Sequence, residues 1–164
     1  MKGHADVLEC LQQVLTLELT GINQYFIHSK LAKNWGWMRL AGFEWQESMD
    51  EMKHADKVID RMLFLDGAPN LSRYDKIVVG KDVKAMLESD LALELKAHEV
   101  QRKAIESANQ HHDHGTRELI EHLLVNEEEH IDWLETQLGK IEQLGLPQWL
   151  AHQQFGDPKK AEAD

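Results

Sequence analysis

The chain is poor in cysteine, in clustered positive charge and in long apolar runs. Its one cysteine, Cys10, permits neither an internal disulfide nor a Cys-x-x-Cys metal site, so we expect a reducing, cytoplasmic setting. The formal net charge of -11 argues against nucleic acid as a partner and favours the attraction of cations. No apolar run approaches the ~18 residues of a membrane span or resembles a signal peptide, so no membrane association is expected.

Proline is also scarce, and its three positions, 69, 147 and 158, leave two long regions free of the strongest helix breaker. Apolar residues spaced alternately by three and four predict four long helices in these regions. The helices are predicted at about 6–33 and 37–65, from an N-cap at Asp82 to the turn at 111–115, and from that turn to 145. Gly145, Leu146 and Pro147 are interpreted as the stop of the fourth helix, and a short fifth helix is predicted at 148–154.

The connection between the second and third helices, residues 66–81, is long and contains glycine, proline, asparagine and serine. Its length is sufficient to travel along the whole bundle, which leaves helices two and three parallel. The predicted fold class is therefore all-α, a four-helix bundle with one long crossover connection and a short fifth C-terminal helix. We expect one domain over residues 1–155 and a polar, loose tail over 156–164.

A glutamate followed three residues later by a histidine occurs twice on the predicted helices, as Glu51 with His54 and as Glu127 with His130. Side chains at this spacing lie on one helix face and can bind the same metal. The offset of 76 positions between the two motifs also relates two further glutamates, which precede the motifs by the same distance. The duplicated set consists of Glu18, Glu51, His54, Glu94, Glu127 and His130.

The location of this set carries more weight than its spacing. With 17 Glu and 10 His in the chain, about one Glu-x-x-His motif is expected by chance. All six residues, however, fall on apolar stripes about half-way along four helices of similar length. Four carboxylates in one core would repel each other unless cations neutralise them, and oxygen and nitrogen ligands without thiolate suit iron or manganese. The pattern is the one described for ferritin-like di-iron proteins, and the alternative is a plain bundle with scattered acids.

The sequence resembles the bacterioferritins from Met1 to about Gln154. The resemblance lies in residues 23–26 (Asn-Gln-Tyr-Phe), 50–56 (Asp-Glu-Met-Lys-His-Ala-Asp), 89–95 (Ser-Asp-Leu-Ala-Leu-Glu-Leu) and 128–135 (Glu-Glu-His-Ile-Asp-Trp-Leu-Glu). It implies a ferritin-like di-iron domain, a hollow shell of 24 subunits, a ferric mineral core and haem b at each two-fold subunit interface. Carried over by position, one iron site takes Glu18, Glu51 and His54 and the other takes Glu94, Glu127 and His130, with Glu51 and Glu127 as bridges.

Met52 matches the haem-ligating methionine of that family. It follows Glu51 directly, so its side chain points about 100° away from the ligand face, towards a neighbouring subunit. The resemblance makes it one axial ligand of a symmetric pair, and packing alone is the alternative role.

Other positions extend or limit the resemblance. Gln46 stands where several bacterioferritins have a histidine that binds iron on the inner surface together with Asp50, so the resemblance leaves open whether that auxiliary site survives in this chain. Glu47, one turn before Glu51, is a candidate for iron passage, with a solvated acidic face as the alternative. Tyr25 and Trp133 match aromatic positions that can donate electrons, although core packing is their expected role. The turn with His111, His112 and His114 is interpreted as solvated.

The predicted function is iron storage and detoxification by a ferroxidase that oxidises Fe2+ to Fe3+ with O2 or peroxide and stores ferric mineral. The partners implied by the family are 23 further copies, or a mixture with a second subunit type, and a ferredoxin as reductant. Whether the di-iron centre is a stable cofactor or a transit site stays open. The alternatives are a haem-binding electron-transfer shell subunit, a haem-free ferritin or a monomeric di-iron oxidase, and retention of all six ligands counts against the first.

Overall fold

The computed structural model describes residues 1–156, which form five α-helices and no strand. The helices are α1 (Ala5–Asn34), α2 (Met38–Phe64), α3 (Val83–Gln110), α4 (His114–Leu144) and α5 (Leu146–Ala151). The predicted all-α fold class is confirmed, including the four long helices and the short fifth one. The predicted tail lies, from residue 157 onwards, outside the described residues, and the extent of the domain stays a prediction.

Capping groups set the boundaries of the second half of the bundle. The carboxylate of Asp82 accepts the backbone N–H of Ala85 at 2.9 Å and begins α3, as its position in the sequence predicts. Asp113 does the same for α4 by accepting the N–H of Thr116 at 3.0 Å. Gly145, at φ 82°, ends α4 in a conformation that other residues rarely adopt.

The fifth helix differs from its prediction. It begins at Leu146 instead of Gln148 and ends at Ala151 instead of Gln154. The reason is Pro147, which was interpreted as a stop for α4 but lies in the first turn of α5, where a residue without an N–H is tolerated.

Residues 65–82 run as a crossover along α1, and polar side chains of α1 bind its backbone. Gln12 exchanges two hydrogen bonds with the backbone of Asn70, at 3.0 and 2.7 Å. Further along, Thr20 Oγ1 accepts the N–H of Asp75 at 2.9 Å and Gln24 Oε1 accepts that of Val78 at 3.0 Å. His28 Nε2 accepts the N–H of Gly80 at 3.1 Å. The polar residues are spaced by four or eight positions on one face of α1, so the extended crossover needs no strand partner.

The apolar core is divided into two parts, one towards each end of the bundle. The larger cluster comprises Val7, Leu11, Val14, Leu15, Leu19, Ala55, Val58, Met62, Leu65, Ala104, Ile120 and Leu123. The second comprises Ala32, Leu40, Ala41, Val83, Met86, Leu87, Leu134, Ile141 and Trp149. Burying a Leu- or Ile-sized side chain contributes about 2–3 kcal/mol to the free energy of unfolding. The two clusters therefore offset the unfavourable free energy of burying a polar layer between them. Within residues 1–156 no helix has the length and apolar character to cross a membrane.

Candidate metal centre

The six residues of the duplicated set lie together in the polar layer between the two apolar clusters. Each of the four long helices contributes at least one of them, from near its middle. Five are almost fully buried, with exposed fractions from 1% to 5%, and the side chain of His130 is 14% exposed. Ionisable side chains this deeply buried require partners or a bound cation. The structure thus brings together all six residues that the sequence singles out.

The donor atoms form two overlapping groups. In the first, His54 Nδ1 lies 3.4 Å from Glu18 Oε2, 3.3 Å from Glu51 Oε2 and 4.0 Å from Glu127 Oε1. Within each group the ligand atoms all lie less than 4.8 Å from one another, which is the spacing of donors around one ion.

In the second group, His130 Nδ1 lies 3.8 Å from Glu51 Oε1 and 3.7 Å from Glu94 Oε1, with Glu127 completing the set. Glu51 and Glu127 belong to both groups. A bridging carboxylate is one that belongs to both metal-binding groups. Glu51 and Glu127 are also the two residues expected to bridge.

Several buried donor atoms at the centre have no hydrogen-bond partner among residues 1–156. They are Glu18 Oε2, Glu127 Oε2 and His130 Nδ1. Buried polar atoms are nearly always paired, and leaving one unpaired costs about 1–3 kcal/mol. Unpaired buried oxygen and nitrogen atoms grouped in this way are typical of metal ligands in a protein without its metal.

The electrostatics show how the centre is charged without metal. Burial raises the pKa of Glu18 to about 7, and it raises the pKa values of Glu51 and Glu127 well above their usual range, helped by the neighbouring carboxylates. Burial alone would also raise the pKa of Glu94, but the contacts of its carboxylate with Glu127 and with the imidazolium of His130 outweigh burial and lower the pKa. Protons therefore occupy the centre in the absence of cations, and metal binding must release them.

His130 is held charged by its carboxylate neighbours. Burial disfavours its imidazolium, but the contacts with Glu47 and Glu94 dominate and raise its pKa to about 11. Its Nε2 lies 2.6 Å from Glu47 Oε2, whereas its Nδ1 faces the centre. A carboxylate on the far nitrogen fixes the ring orientation and leaves Nδ1 as the metal donor once its proton is lost.

Two further residues support the ligands and were not found by sequence reasoning. Gln101 donates from Nε2 to Glu127 Oε1 at 2.8 Å and to Glu18 Oε1 at 3.3 Å, so it holds one carboxylate of each group. Gly21 lies so close to Glu51 that an added Cβ would be 3.2 Å from its Cγ. The sequence signal for Gln101 was present, since it is a polar residue on the apolar stripe of α3. A glycine inside a long helix was the signal for Gly21.

Tyr25, expected as a packing residue with a possible redox role in the family, also supports a ligand. Its hydroxyl donates to Glu94 Oε1, and its side chain is fully buried. Trp133 lies further out and stacks on Phe43 with ring centroids 3.5 Å apart. Within residues 1–156, Tyr25 is therefore the one of these two aromatic residues whose side chain makes a hydrogen bond to a member of the six-residue set.

A cavity of about 10 Å3 lies beside the centre. Its lining comprises Leu17, Glu18, Gly21, Glu51, Leu93, Glu94, Ala97 and Glu127. The three apolar residues come from the α1–α3 interface and form a small cluster of their own. The cavity has room for about one small molecule of the size of water, next to the four glutamates.

A second buried acidic group lies one layer away from the centre, where Glu44 of α2 and Asp90 of α3 meet His28 of α1. Asp90 accepts from His28 Nδ1 at 2.9 Å and from Gln24 Nε2 at 2.8 Å. Because His28 Nε2 accepts from Gly80, both nitrogens of this ring are engaged and neither is free for a metal. Burial, followed by the charge of Asp90, raises the pKa of Glu44 well above its usual range.

Comparison with known proteins agrees with this geometry. The family described as Ferritin-like domain matches residues 8–144. The chain is 45% identical over 151 residues to a bacterioferritin of Streptomyces coelicolor, covering 92% of this chain and 90% of the relative. It is 45% identical over 145 residues to a bacterioferritin of Mycobacterium leprae, covering 88% and 91% of the two chains. Along the whole chain, and 98% of the relative, it is 40% identical to a bacterioferritin of Brucella melitensis. The chain belongs to the bacterioferritin family.

The outer face of α1 and α2 in this bacterioferritin carries exposed apolar side chains. Met52 is 50% exposed, as its position after Glu51 predicts. Phe26 and Trp45, also exposed, lie with ring centroids 5.8 Å apart, and the ammonium group of Lys30 lies over both rings. A thioether and two aromatic rings on one face suit a flat apolar group or an interface with a second copy.

The carboxylate of Asp50, the residue expected at the auxiliary site, is engaged by two neighbouring side chains. Gln46 donates from Nε2 to both oxygens of Asp50 at 3.2 Å, and Lys53 Nζ lies 2.6 Å from Asp50 Oδ1. The carboxylate is therefore engaged by an amide and an ammonium group. A metal at Asp50 would have to compete with both.

Proposed function

We propose that this bacterioferritin stores iron and oxidises Fe2+ at the centre inside each subunit. The first iron site would use Glu18, Glu51 and His54. The second would use Glu94, Glu127 and His130. The observation that supports this proposal most strongly is the pair of overlapping donor groups that share Glu51 and Glu127 in a buried layer. O2 or peroxide is the oxidant; with O2, two Fe2+, one O2 and two protons give two Fe3+ and one H2O2.

Charge balance favours this use of the centre. Two Fe2+ ions carry a charge of +4, which balances the four glutamates when both histidines are neutral. Entry of the two ions would displace the protons from Glu18, Glu51 and Glu127 and from the imidazolium of His130. Binding in a dry layer of fixed ligands holds both substrate ions ready to lose one electron each to a shared oxidant.

The supporting residues keep the ligands in place while charge changes at the centre. Gln101 donates to Glu127 and Glu18, and Tyr25 donates to Glu94, so these carboxylates keep their orientation. Glu47 compensates the charge on His130 and is also placed to receive an ion leaving the second site. The latter role is the iron passage expected of Glu47.

The α1–α2 face fits haem b in its chemistry. Met52 would supply the axial thioether and a second copy the matching one, with Phe26 and Trp45 offering apolar surface. Bound there, haem would carry single electrons between the exterior and the stored iron. A shell of 24 copies, a cytoplasmic location and a ferredoxin as reductant remain part of this proposal.

Stopped-flow absorbance of ferric product after mixing metal-free protein with two Fe2+ per chain in air tests the proposal. Glu18→Ala and His130→Ala should slow the fast phase at least about a hundredfold, because each removes a donor from one group. Glu129→Ala, an exposed neighbour of His130 on α4, is the matched control and should react at the normal rate. Size-exclusion chromatography of all variants checks that assembly is retained.

An unchanged fast phase in both ligand variants would refute the assignment of the centre. The haem part is tested separately by the Soret band of protein expressed with excess haem precursor. That band should disappear in Met52→Leu, while Fe2+ oxidation persists. A Soret band that survives the substitution would place the haem ligand elsewhere.

A further inference from the structure

A second group of metal-binding side chains lies at the end of the bundle where α1 begins and α3 ends. His4 is the N-cap of α1, Asp6 is in its first turn, and His111 is the C-cap of α3. His111 is more than 100 positions from the other two residues in sequence, but one ligand atom from each of the three lies within 4.8 Å of the others. None of them belongs to the dinuclear centre.

The donor atoms converge on one side of a stacked pair of rings. The imidazoles of His4 and His111 are nearly parallel, with centroids 3.5 Å apart and an interplanar angle of 16°. Asp6 Oδ2 faces the same edge of both rings, 3.3 Å from His111 Nε2 and 3.6 Å from His4 Nδ1. Around a tetrahedral ion with bonds of about 2.0–2.2 Å, neighbouring ligand atoms are about 3.3–3.6 Å apart. The two measured separations match that spacing, and one of the stacked rings must tilt so that the lone pairs of both nitrogens point at the ion.

The protonation of His4 suits a metal ligand. Its Nδ1 accepts the backbone N–H of Asp6 at 3.2 Å, so this nitrogen carries a lone pair and not a proton. A metal at Nδ1 would replace that long hydrogen bond, which is a capping bond of modest strength. The dipole of α3 favours a cation at its C-terminal end, and the dipole of α1 disfavours one at its N-terminal end, so the two effects nearly cancel. The affinity for a cation therefore depends on the three donor atoms.

The neighbouring histidines are not part of the group. His112 adopts a positive φ of 55° and is exposed, as is His114, in agreement with a solvated turn. His111 alone turns inwards to the N-terminal segment. The sequence shows the local run of histidines but cannot show that their metal-binding partner comes from the other end of the chain.

We propose that His4, Asp6 and His111 bind one divalent transition-metal ion of borderline softness, with zinc as the representative, at a site separate from the dinuclear centre. Two imidazoles and one carboxylate leave a fourth position for water, as in exchangeable zinc sites. Such an ion would fasten the start of α1 to the turn between α3 and α4.

Zinc content after equilibrium dialysis of the assembled, iron-free protein tests this proposal. We expect His111→Ala to contain about one zinc per chain less than the unmodified protein. His112→Ala is the matched control and should lose none. Asp6→Asn is a second test variant, because it keeps the backbone N–H that caps onto His4 and should weaken zinc binding at least about tenfold. The amount of zinc bound at the dinuclear centre is expected to be equal in all four proteins, so it does not affect the difference between them.

Anomalous diffraction at the zinc absorption edge then locates the ion. A peak between His4, Asp6 and His111, absent from His111→Ala crystals, supports the proposal. Equal zinc content in all variants would overturn it, and so would a peak on His112 or His114. Fe2+ oxidation should be unaffected by His111→Ala, so failure of this proposal and failure of the ferroxidase proposal are distinguishable.

Discussion

The close approach of Gly21 to Glu51 gives a prediction that links packing to chemistry. Gly21 is in the middle of α1, and a Cβ at this position would lie 3.2 Å from Glu51 Cγ and 3.5 Å from its Cδ. Glu51 belongs to both donor groups, so a shift of its side chain disturbs both iron sites together. The perturbation is Gly21→Ala, which adds one methyl group and changes no charge.

The magnitude follows from two opposing effects. Replacing glycine by alanine inside a helix stabilises a protein by up to about 1 kcal/mol. The contact at 3.2 Å is closer than ordinary van der Waals packing, and overpacking of this kind costs about 1–3 kcal/mol. Gly139 on α4 is the control. Apart from its chain neighbours and the backbone of its own helix, no atom of residues 1–156 lies within 4 Å of a Cβ added at this position. Gly139→Ala should therefore gain about 1 kcal/mol, and Gly21→Ala should be less stable than it by about 1–3 kcal/mol.

Urea unfolding of the metal-free proteins at one protein concentration measures the stability difference, and stopped-flow Fe2+ oxidation measures the chemistry. A displacement of a few tenths of an ångström in the shared ligand should slow the fast phase about tenfold in Gly21→Ala, because catalytic geometry is sensitive at this scale. Gly139→Ala should oxidise Fe2+ at the normal rate. Equal stabilisation of both variants with equal rates would refute the reasoning that Glu51 is fixed by its contact with α1.

Two further predictions concern charge at the centre. Glu47→Ala should weaken Co2+ binding at the second site by about 10–100-fold, because the ring of His130 loses its orienting carboxylate. Glu47→Gln should recover part of the lost affinity. Co2+ absorbance measures the affinities, and equal affinities of all three proteins would contradict this role of Glu47. The metal-free protein should lose stability as pH rises from about 5 to 8. The folded pKa of Glu18 is about 7 against an ordinary 4.5, so its stabilising protonated form is fully present below 4.5 and is lost as pH passes 7, a change on the order of 3 kcal/mol. Urea midpoints across this range check the trend, which saturating Zn2+ should remove; a midpoint that rises with pH would contradict it.

The sequence predicts the parts of this bundle that depend on local pattern. The four long helices follow from apolar periodicity and from three prolines, and Asp82 is a capping residue that the sequence identifies correctly. The six centre residues are predictable because each interrupts an apolar stripe and because the two halves repeat. Burial of an acid on such a stripe needs compensation, and the structure provides it in one layer.

The remaining features depend on contacts between segments that are distant in sequence. The ion pair of Glu47 with His130 joins α2 to α4, and Gln101 reaches Glu18 across the core. No periodicity encodes which polar residues meet, because that depends on how the helices are aligned and rotated. The pairing of His4 with His111 was missed for the same reason. In each case the residue type was visible, but its partner was not.

The crossover that follows α1 has a consequence for how this chain can change in evolution. Its bonds to Gln12, Thr20, Gln24 and His28 all involve crossover backbone groups, so they place no demand on the crossover side chains. They do fix the number of residues. The bonded part of α1 is about 24 Å long, and the segment 70–80 has to present its N–H groups at matching intervals along it. The length of α1 therefore sets the length of the crossover. We expect the crossover to vary in sequence, except at Gly80, where a Cβ would clash with the backbone nitrogen of Met86, but hardly at all in length.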